Sequence, residues 1–261
     1  MPRIKLVLEY DGTHYVGWQF QPNGPSIQGR LKRALQELVG SPVEVVAAGR
    51  TDSGVHALGQ VVAFDSPVTL PLRAYWMGLN GLLPEDVAVV RAEEVDPAFD
   101  PRRWSRGKRY LYRISNQRGR APMRRFSHWE VFQPLDLEAM KQGAVHLLGR
   151  HDFSSFRAAD CEANHAIRQI SKAQLEGASG DEITFTVEGT AFLRHMVRNL
   201  IGTLVNVGRR KRPPEWVKEV LEAKTRDHAG VTAPAHGLTL VEVFYSDPPG
   251  PNGPLHTHDG D

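Results

Sequence analysis

Residues 182–207 read EITFTVEGTAFLRHMVRNLIGTLVNV, and the hydrophobic period changes partway along them. Ile183, Phe185 and Val187 point one way and Thr184, Thr186 and Glu188 the other, so 182–188 carries the alternation of a half-buried strand. From Ala191 to Val207, Phe192, Met196, Leu200 and Leu204, flanked by Leu193, Val197 and Ile201, recur at helical spacing. They predict one long amphipathic helix. A half-buried strand followed by a core-facing helix indicates an α+β fold.

The same signals extend in both directions. Upstream, 3–9 predicts a strand, Ser26 to Leu38 a helix closed by Gly40, 43–48 and 58–65 two strands, Leu70 to Leu79 a helix, and 87–94 a strand. The second half offers a strand at 107–115, a helix at 135–148, strands at 166–175 and 182–188, and the 191–207 helix. A further helix opens at Pro213-Pro214, and 238–245 predicts a last strand. Each half therefore reads β-α-β-β-α-β, which suggests two ferredoxin-like halves with mainly antiparallel sheets. The expected division is 1–100 and 101–246. Residues 247–261, with four Pro and three Gly, are expected to form a disordered tail.

With 261 residues, 41% hydrophobic and 24% charged, the composition is that of a soluble globular protein and excludes a disordered or collagenous chain. No apolar run approaches the ~18 residues of a membrane helix, and no charged-then-apolar leader opens the chain. The single cysteine, Cys161, allows no internal disulfide. A cytoplasmic protein is expected. The net charge of +2 conceals an uneven distribution: six acids and one Arg lie between Pro84 and Asp100. Then Arg102, Arg103, Arg106, Lys108, Arg109, Arg113, Arg118, Arg120, Arg124 and Arg125 follow without an acid, and Arg209-Arg210-Lys211-Arg212 forms a second knot. Such stretches attract phosphate polyanions, and Trp104, Tyr110 and Tyr112 within the first favour nucleic acid over a merely solvated face.

No GxxxxGK[ST], GxGxxG, HExxH or GxSxG motif is present, and one Cys excludes a Cys-based zinc site, so no metal is expected. The loop Gly49-Arg50-Thr51-Asp52-Ser53-Gly54 holds a lone carboxylate between two glycines, with a guanidinium two residues away that favours the anion. Read locally, it is either a nucleophile loop or an Asx turn. Asp52-Ser53-Gly54 also mimics an aspartic-protease triplet, but that chemistry needs two carboxylates and the chain has one such triplet. Tyr110 and Tyr112 share one face of a basic strand, either as a base-stacking platform or as half-buried strand tyrosines. Arg194 and Arg198, spaced i, i+4 on the long helix beside Gly202, are either functional or a solvated polar edge.

Taken together, the segments resemble the tRNA pseudouridine synthase A family over nearly the whole chain except the tail. The resemblance runs in order through Tyr10-Asp11-Gly12-Thr13-His14-Tyr15-Val16-Gly17-Trp18-Gln19, the 49–57 loop, Arg109-Tyr110-Leu111-Tyr112, His151 to Phe156, Phe192 to Asn199, and Gly237-Leu238-Thr239-Leu240. It implies two ferredoxin-like halves whose sheets join around a central cleft, a homodimer, no cofactor or metal, and tRNA as partner. It further implies isomerisation of uridine to pseudouridine at positions 38, 39 and 40 of the anticodon stem-loop, and it sets the protease idea aside. By the same resemblance Asp52 is the nucleophile, attacking C6 of the base or C1′ of the ribose, and Arg198 pairs with it. Tyr110 stacks on the flipped uracil and takes the C5 proton, and Leu238 packs on the other side of the base. Arg50 meets a phosphate or fills the space the nucleotide leaves. The basic residues Arg102, Arg103, Arg106, Lys108, Arg109, Arg209 and Arg210 would grip the RNA backbone. A non-catalytic RNA-binding module on the same scaffold is the alternative from a different class.

Overall fold

The computed structural model describes residues 1–161 and 163–245; the expected 247–261 tail lies outside them. The described chain forms two compact units, residues 1–106 with 240–245 and residues 107–239.

The first unit contains β1 (Arg3–Tyr10), α1 (Ile27–Val39), β2 (Val46–Ala47), β3 (His56–Asp65), a π-helical turn (Ala74–Gly78) continuing into α2 (Leu79–Leu82), and β4 (Val87–Val95). β1 is central, antiparallel to β3 on one side and to β4 on the other, with Ile4 opposite Phe64 and Glu94. Its alternation buries Ile4, Leu6 and Leu8 almost completely. β2 adds antiparallel to the far end of β3. α1 presents Ile27, Leu31, Ala34 and Leu35 to this core and ends in a left-handed Gly40. Its start is fixed by Ser26, whose side chain accepts the Gly29 N–H at 3.2 Å. Ser26→Ala should therefore cost about 1 kcal/mol in urea unfolding, and an unshifted midpoint would show that the cap is dispensable. The helix after Pro71 runs later than the 70–79 expectation and stops at Leu83, whose extended backbone (ψ 150°) is what a residue before Pro84 favours.

The second unit takes in most of β5 (Ser105–Ser115), then β6 (Trp129–Glu130), α3 (Leu137–Val145), β7 (Gly149–Asp152), β8 (Ile167–Gly177), β9 (Glu182–Gly189), α4 (Met196–Gly208) and α5 (Trp216–Ala223). β5 pairs antiparallel with β9, β9 with β8 and β8 with β7, while β6 runs parallel to β5. Phe185, Val187, Leu200, Ile201 and Leu204 are fully buried, so the 182–207 stretch supplies both the strand and the helix of this core.

The helix begins five residues later than its periodicity suggests. The Arg194 carbonyl accepts the Ala158 N–H at 3.0 Å instead of a helical amide, and His195 adopts a left-handed φ of 62° before Met196. The last strand, β10 (Leu238–Tyr245), starts in the second unit and from Leu240 belongs to the first, where it lies beside β3. There the Tyr245 hydroxyl donates to the Pro101 carbonyl at 2.7 Å, and its ring packs on Phe99. The architecture is mixed α+β with mainly antiparallel pairing. No described helix is long and apolar enough to cross a membrane.

Candidate active site

The 49–54 loop hangs on buried anchors on both sides. Thr51, 7% exposed, places its hydroxyl 2.8 Å from that of Tyr10, and its carbonyl accepts the Trp18 N–H at 3.0 Å. Burial pushes the Tyr10 phenol up to about 12, so it stays a neutral hydrogen-bonding group. Gln60, fully buried on β3, donates to the Gly49 carbonyl at 2.8 Å. From the other direction the Tyr15 carbonyl accepts the Ser53 hydroxyl at 3.1 Å and the Gly54 N–H at 3.3 Å. The turn itself is closed by backbone: Val55 N–H donates to the Asp52 carbonyl at 3.1 Å, with Gly54 at the position whose positive φ (77°) a type II turn needs. These bonds leave Arg50 exposed and Asp52 half-buried.

Gly17 lies hard beneath this loop. At φ 110°, a Cβ there would stand 2.7 Å from the Thr51 carbonyl oxygen. Gly17→Ala is expected to cost about 2–3 kcal/mol through backbone strain and overpacking, read as a fall in the urea midpoint. A midpoint equal to the unaltered protein's would show that the loop has room to move.

In the second unit Tyr110 and Tyr112 do share a face of β5, and the face is inward. Tyr112 is fully buried; its hydroxyl donates to the Pro234 carbonyl at 2.8 Å and its ring meets Trp129 edge-on. Burial holds its phenol well above the usual range, opposed in part by the Arg198 charge. Tyr112 is therefore a core tyrosine. Tyr110, 8% exposed and opposite Val187 on β9, packs edge-on against Phe192 at 5.1 Å. Arg198 sits in the first turn of α4, where its Nε donates to the Ala233 carbonyl at 2.7 Å and its own carbonyl accepts the Ala233 N–H at 3.2 Å. Leu238, 6% exposed, opens β10 immediately after the 3₁₀ turn Ala235–Gly237. Arg194 precedes the helix and bonds Asp160 at 2.5 Å, so the expected i, i+4 pair with Arg198 does not form.

The basic candidates have different surroundings. Arg102, Arg103 and Arg106 are exposed, with the first two backbone amides held by Asp100 Oδ1. Lys108 is half-buried, and Arg109 donates across the strand pair to Glu188 at 2.8 Å. Arg209 is half-buried, whereas exposed Arg210 makes two bonds to Asp136, at 3.1 and 3.0 Å. Among the described residues no group of three or more His, Cys, Asp or Glu side chains is placed to hold a metal ion. Sequence reasoning missed Asn199, Arg226 and Thr232, which tie the segment carrying Ala233 to α4. The available signal was a polar residue, Asn199, inside the apolar stripe of the helix.

The family model for tRNA pseudouridine synthase matches residues 6–102 and 144–246, and so contains Asp52, Arg198 and Leu238. The chain belongs to that family. Tyr110 falls between the two matched stretches, but whole-chain relatives span it. The tRNA pseudouridine synthase A of Myxococcus xanthus is 65% identical over 261 residues, covering 100% of this chain and 98% of that protein. The enzyme of the same name from Geobacter sulfurreducens is 48% identical over 245 residues, 94% of this chain and 100% of the relative. Among solved structures, the archaeal box H/ACA sRNP Nop10-Cbf5 complex aligns with 78% of this chain and 53% of that one, at 12% identity and a TM-score of 0.35, too distant to inform the site. The family decides for an enzyme over a non-catalytic RNA-binding module. The chain is a pseudouridine synthase, an isomerase of uridine in tRNA.

Proposed function

We propose that this pseudouridine synthase acts on uridines 38, 39 and 40 of the tRNA anticodon stem-loop, with Asp52 as the nucleophile. The observation that supports this most is the Asp52 turn. Its backbone is fixed by bonds from Thr51, Ser53, Gly54, Val55 and Gly49 while the aspartate stays half-buried, the kind of preorganised carboxylate that covalent catalysis requires.

Asp52 attacks C6 of the base or C1′ of the ribose. The N1–C1′ bond breaks, the uracil turns and C5 bonds to C1′; the Asp52 carboxylate is expelled again from the carbon it attacked, and C5 loses a proton while N1 gains one. The target nucleotide leaves the stack first, and Arg50, exposed on the same loop, fills its place or meets a phosphate. Tyr110 stacks on the base and takes the C5 proton, Leu238 packs on its other face, and the Arg198 guanidinium pairs with Asp52, keeping the carboxylate ionised and oriented. Arg102, Arg103, Arg106, Lys108, Arg109, Arg209 and Arg210 contribute the electropositive surface that attracts the backbone. The fold reading is two ferredoxin-like halves, supported in the first unit by the order β4-β1-β3 with β2 beyond β3. The enzyme acts as a cytoplasmic homodimer without a cofactor, a reading that rests on family resemblance and on the single Cys161.

The test is tritium release from a tRNA transcript labelled at uridine C5. Release is expected from transcripts that keep a uridine at 38, 39 or 40 alone, and none once all three are changed to cytidine. Undiminished release from the triple replacement would overturn the assigned positions.

A further inference from the structure

Arginine side chains lose much rotamer freedom when fixed, so a guanidinium that must meet a reacting group needs a rigid partner. Arg198 finds its partner in the Ala233 carbonyl, 2.7 Å from Nε. That carbonyl lies in the 229–234 segment, which is neither helix nor strand, and such connections are ordinarily the mobile parts of a fold. Here the segment is tied down from several directions. The Thr232 hydroxyl donates to Asn199 Oδ1 at 2.7 Å. Arg226 Nη2 donates to the same oxygen at 3.2 Å and to Thr232 Oγ1 at 3.1 Å, and its Nη1 donates to the Ala229 carbonyl at 3.4 Å. Gly230 N–H donates to Thr203 Oγ1 at 2.9 Å. The segment is also pressed against α4: a Cβ on Gly202 would stand 1.8 Å from the Val231 carbonyl oxygen.

Asn199 is the pivot. It is fully buried next to Arg198 in α4, and its Nδ2 donates to the Phe156 carbonyl at 2.7 Å, which fixes its Oδ1 toward Thr232 and Arg226. A buried amide whose two ends are both committed resists rotation, and breaking one end leaves an unsatisfied group. Burial also weakens the hold of Arg226 on its proton, an electrostatic penalty that an apolar residue in the same place would avoid. A network of this cost placed between a helix and an irregular segment is explained by what the segment carries.

We infer that Asn199, Thr232 and Arg226 are positioning residues, which set the Arg198 guanidinium by fixing the Ala233 carbonyl. This deepens the proposed role of Arg198 and rests on it. A displacement of about 1 Å in a catalytic group costs as much as roughly 10²-fold in rate, so Thr232→Val, nearly isosteric but without the hydroxyl, should lower kcat roughly 10- to 100-fold with KM and tRNA affinity little changed. Thr232→Ser keeps the hydroxyl and should restore most of the rate. In the Arg198→Ala background Thr232→Val should cost nothing further, because residues that act as a unit are not additive.

The experiment is steady-state tritium release from C5-labelled tRNA by the full chain and these variants, with thermal unfolding alongside. If Thr232→Val does not fold, Arg226→Met, which removes the second donor and its half-buried charge, is read in the same way. Unchanged kcat, a rise in KM alone, or a full additional loss in the Arg198→Ala background overturns the inference while leaving the enzyme reading intact. No release by the unaltered protein overturns that reading and this inference with it.

Discussion

Asp52→Asn should lower turnover at least ~10³-fold while leaving tRNA affinity within a few fold, since an amide keeps the shape of the side chain but not its nucleophilicity. Folding should survive. The loop is held by the Thr51 hydroxyl and carbonyl, the Gly49 carbonyl, the Ser53 hydroxyl and the Gly54 amide, and the turn is closed by the Asp52 backbone. Single-turnover tritium release measures the chemistry, and filter binding at one fixed salt concentration measures affinity, because phosphate contacts make any affinity salt-dependent. Turnover within tenfold of the unaltered protein would remove Asp52 from the nucleophile's role. A parallel loss of binding would make it a recognition residue instead.

Arg198→Ala should lower turnover roughly 10²- to 10³-fold, the range seen when a fixed electrostatic stabiliser is deleted. Its guanidinium is half-buried and anchored to the Ala233 carbonyl, unlike exposed Arg102, Arg103 and Arg106. Salt dependence separates the two kinds of arginine. Each phosphate contact contributes about 0.7 to 0.9 to the slope of log affinity against log salt. Arg198→Ala should leave that slope unchanged, whereas Arg102→Ala should lower it and spare the single-turnover rate. A shallower slope for Arg198→Ala, with rate and affinity lost together, would make Arg198 a backbone contact.

Much of this molecule could be read locally. β1 and β9 follow directly from alternating side chains, and the aspartate loop is contiguous between two glycines. What escaped reading depends on partners far along the chain. The start of α4 is set by an amide at Ala158, which takes the Arg194 carbonyl that helical periodicity would assign to the helix. Tyr110 and Tyr112 share an inward face, and the Pro234 carbonyl that takes the Tyr112 hydroxyl lies 122 positions away. Arg210, counted among the RNA-gripping residues, lies against Asp136, 74 positions away. Asn199, Thr232 and Arg226 meet across separations of up to 33 residues, which no period or spacing encodes. β6 and β7 are two and four residues long, too short to show an alternation.

β10 gives the molecule an order of assembly. Residues 240–245 lie beside β3 in the first unit, so that unit waits for a strand made after the second unit has been synthesised. Until then the Phe99 ring lacks Tyr245, and the edge of β3, a strand buried over most of its length in the finished protein, stands open to pairing with other chains. A nascent chain stalled before Leu240 would therefore be a substrate for chaperones, and a cut there in the finished enzyme would unfasten the unit that carries the aspartate.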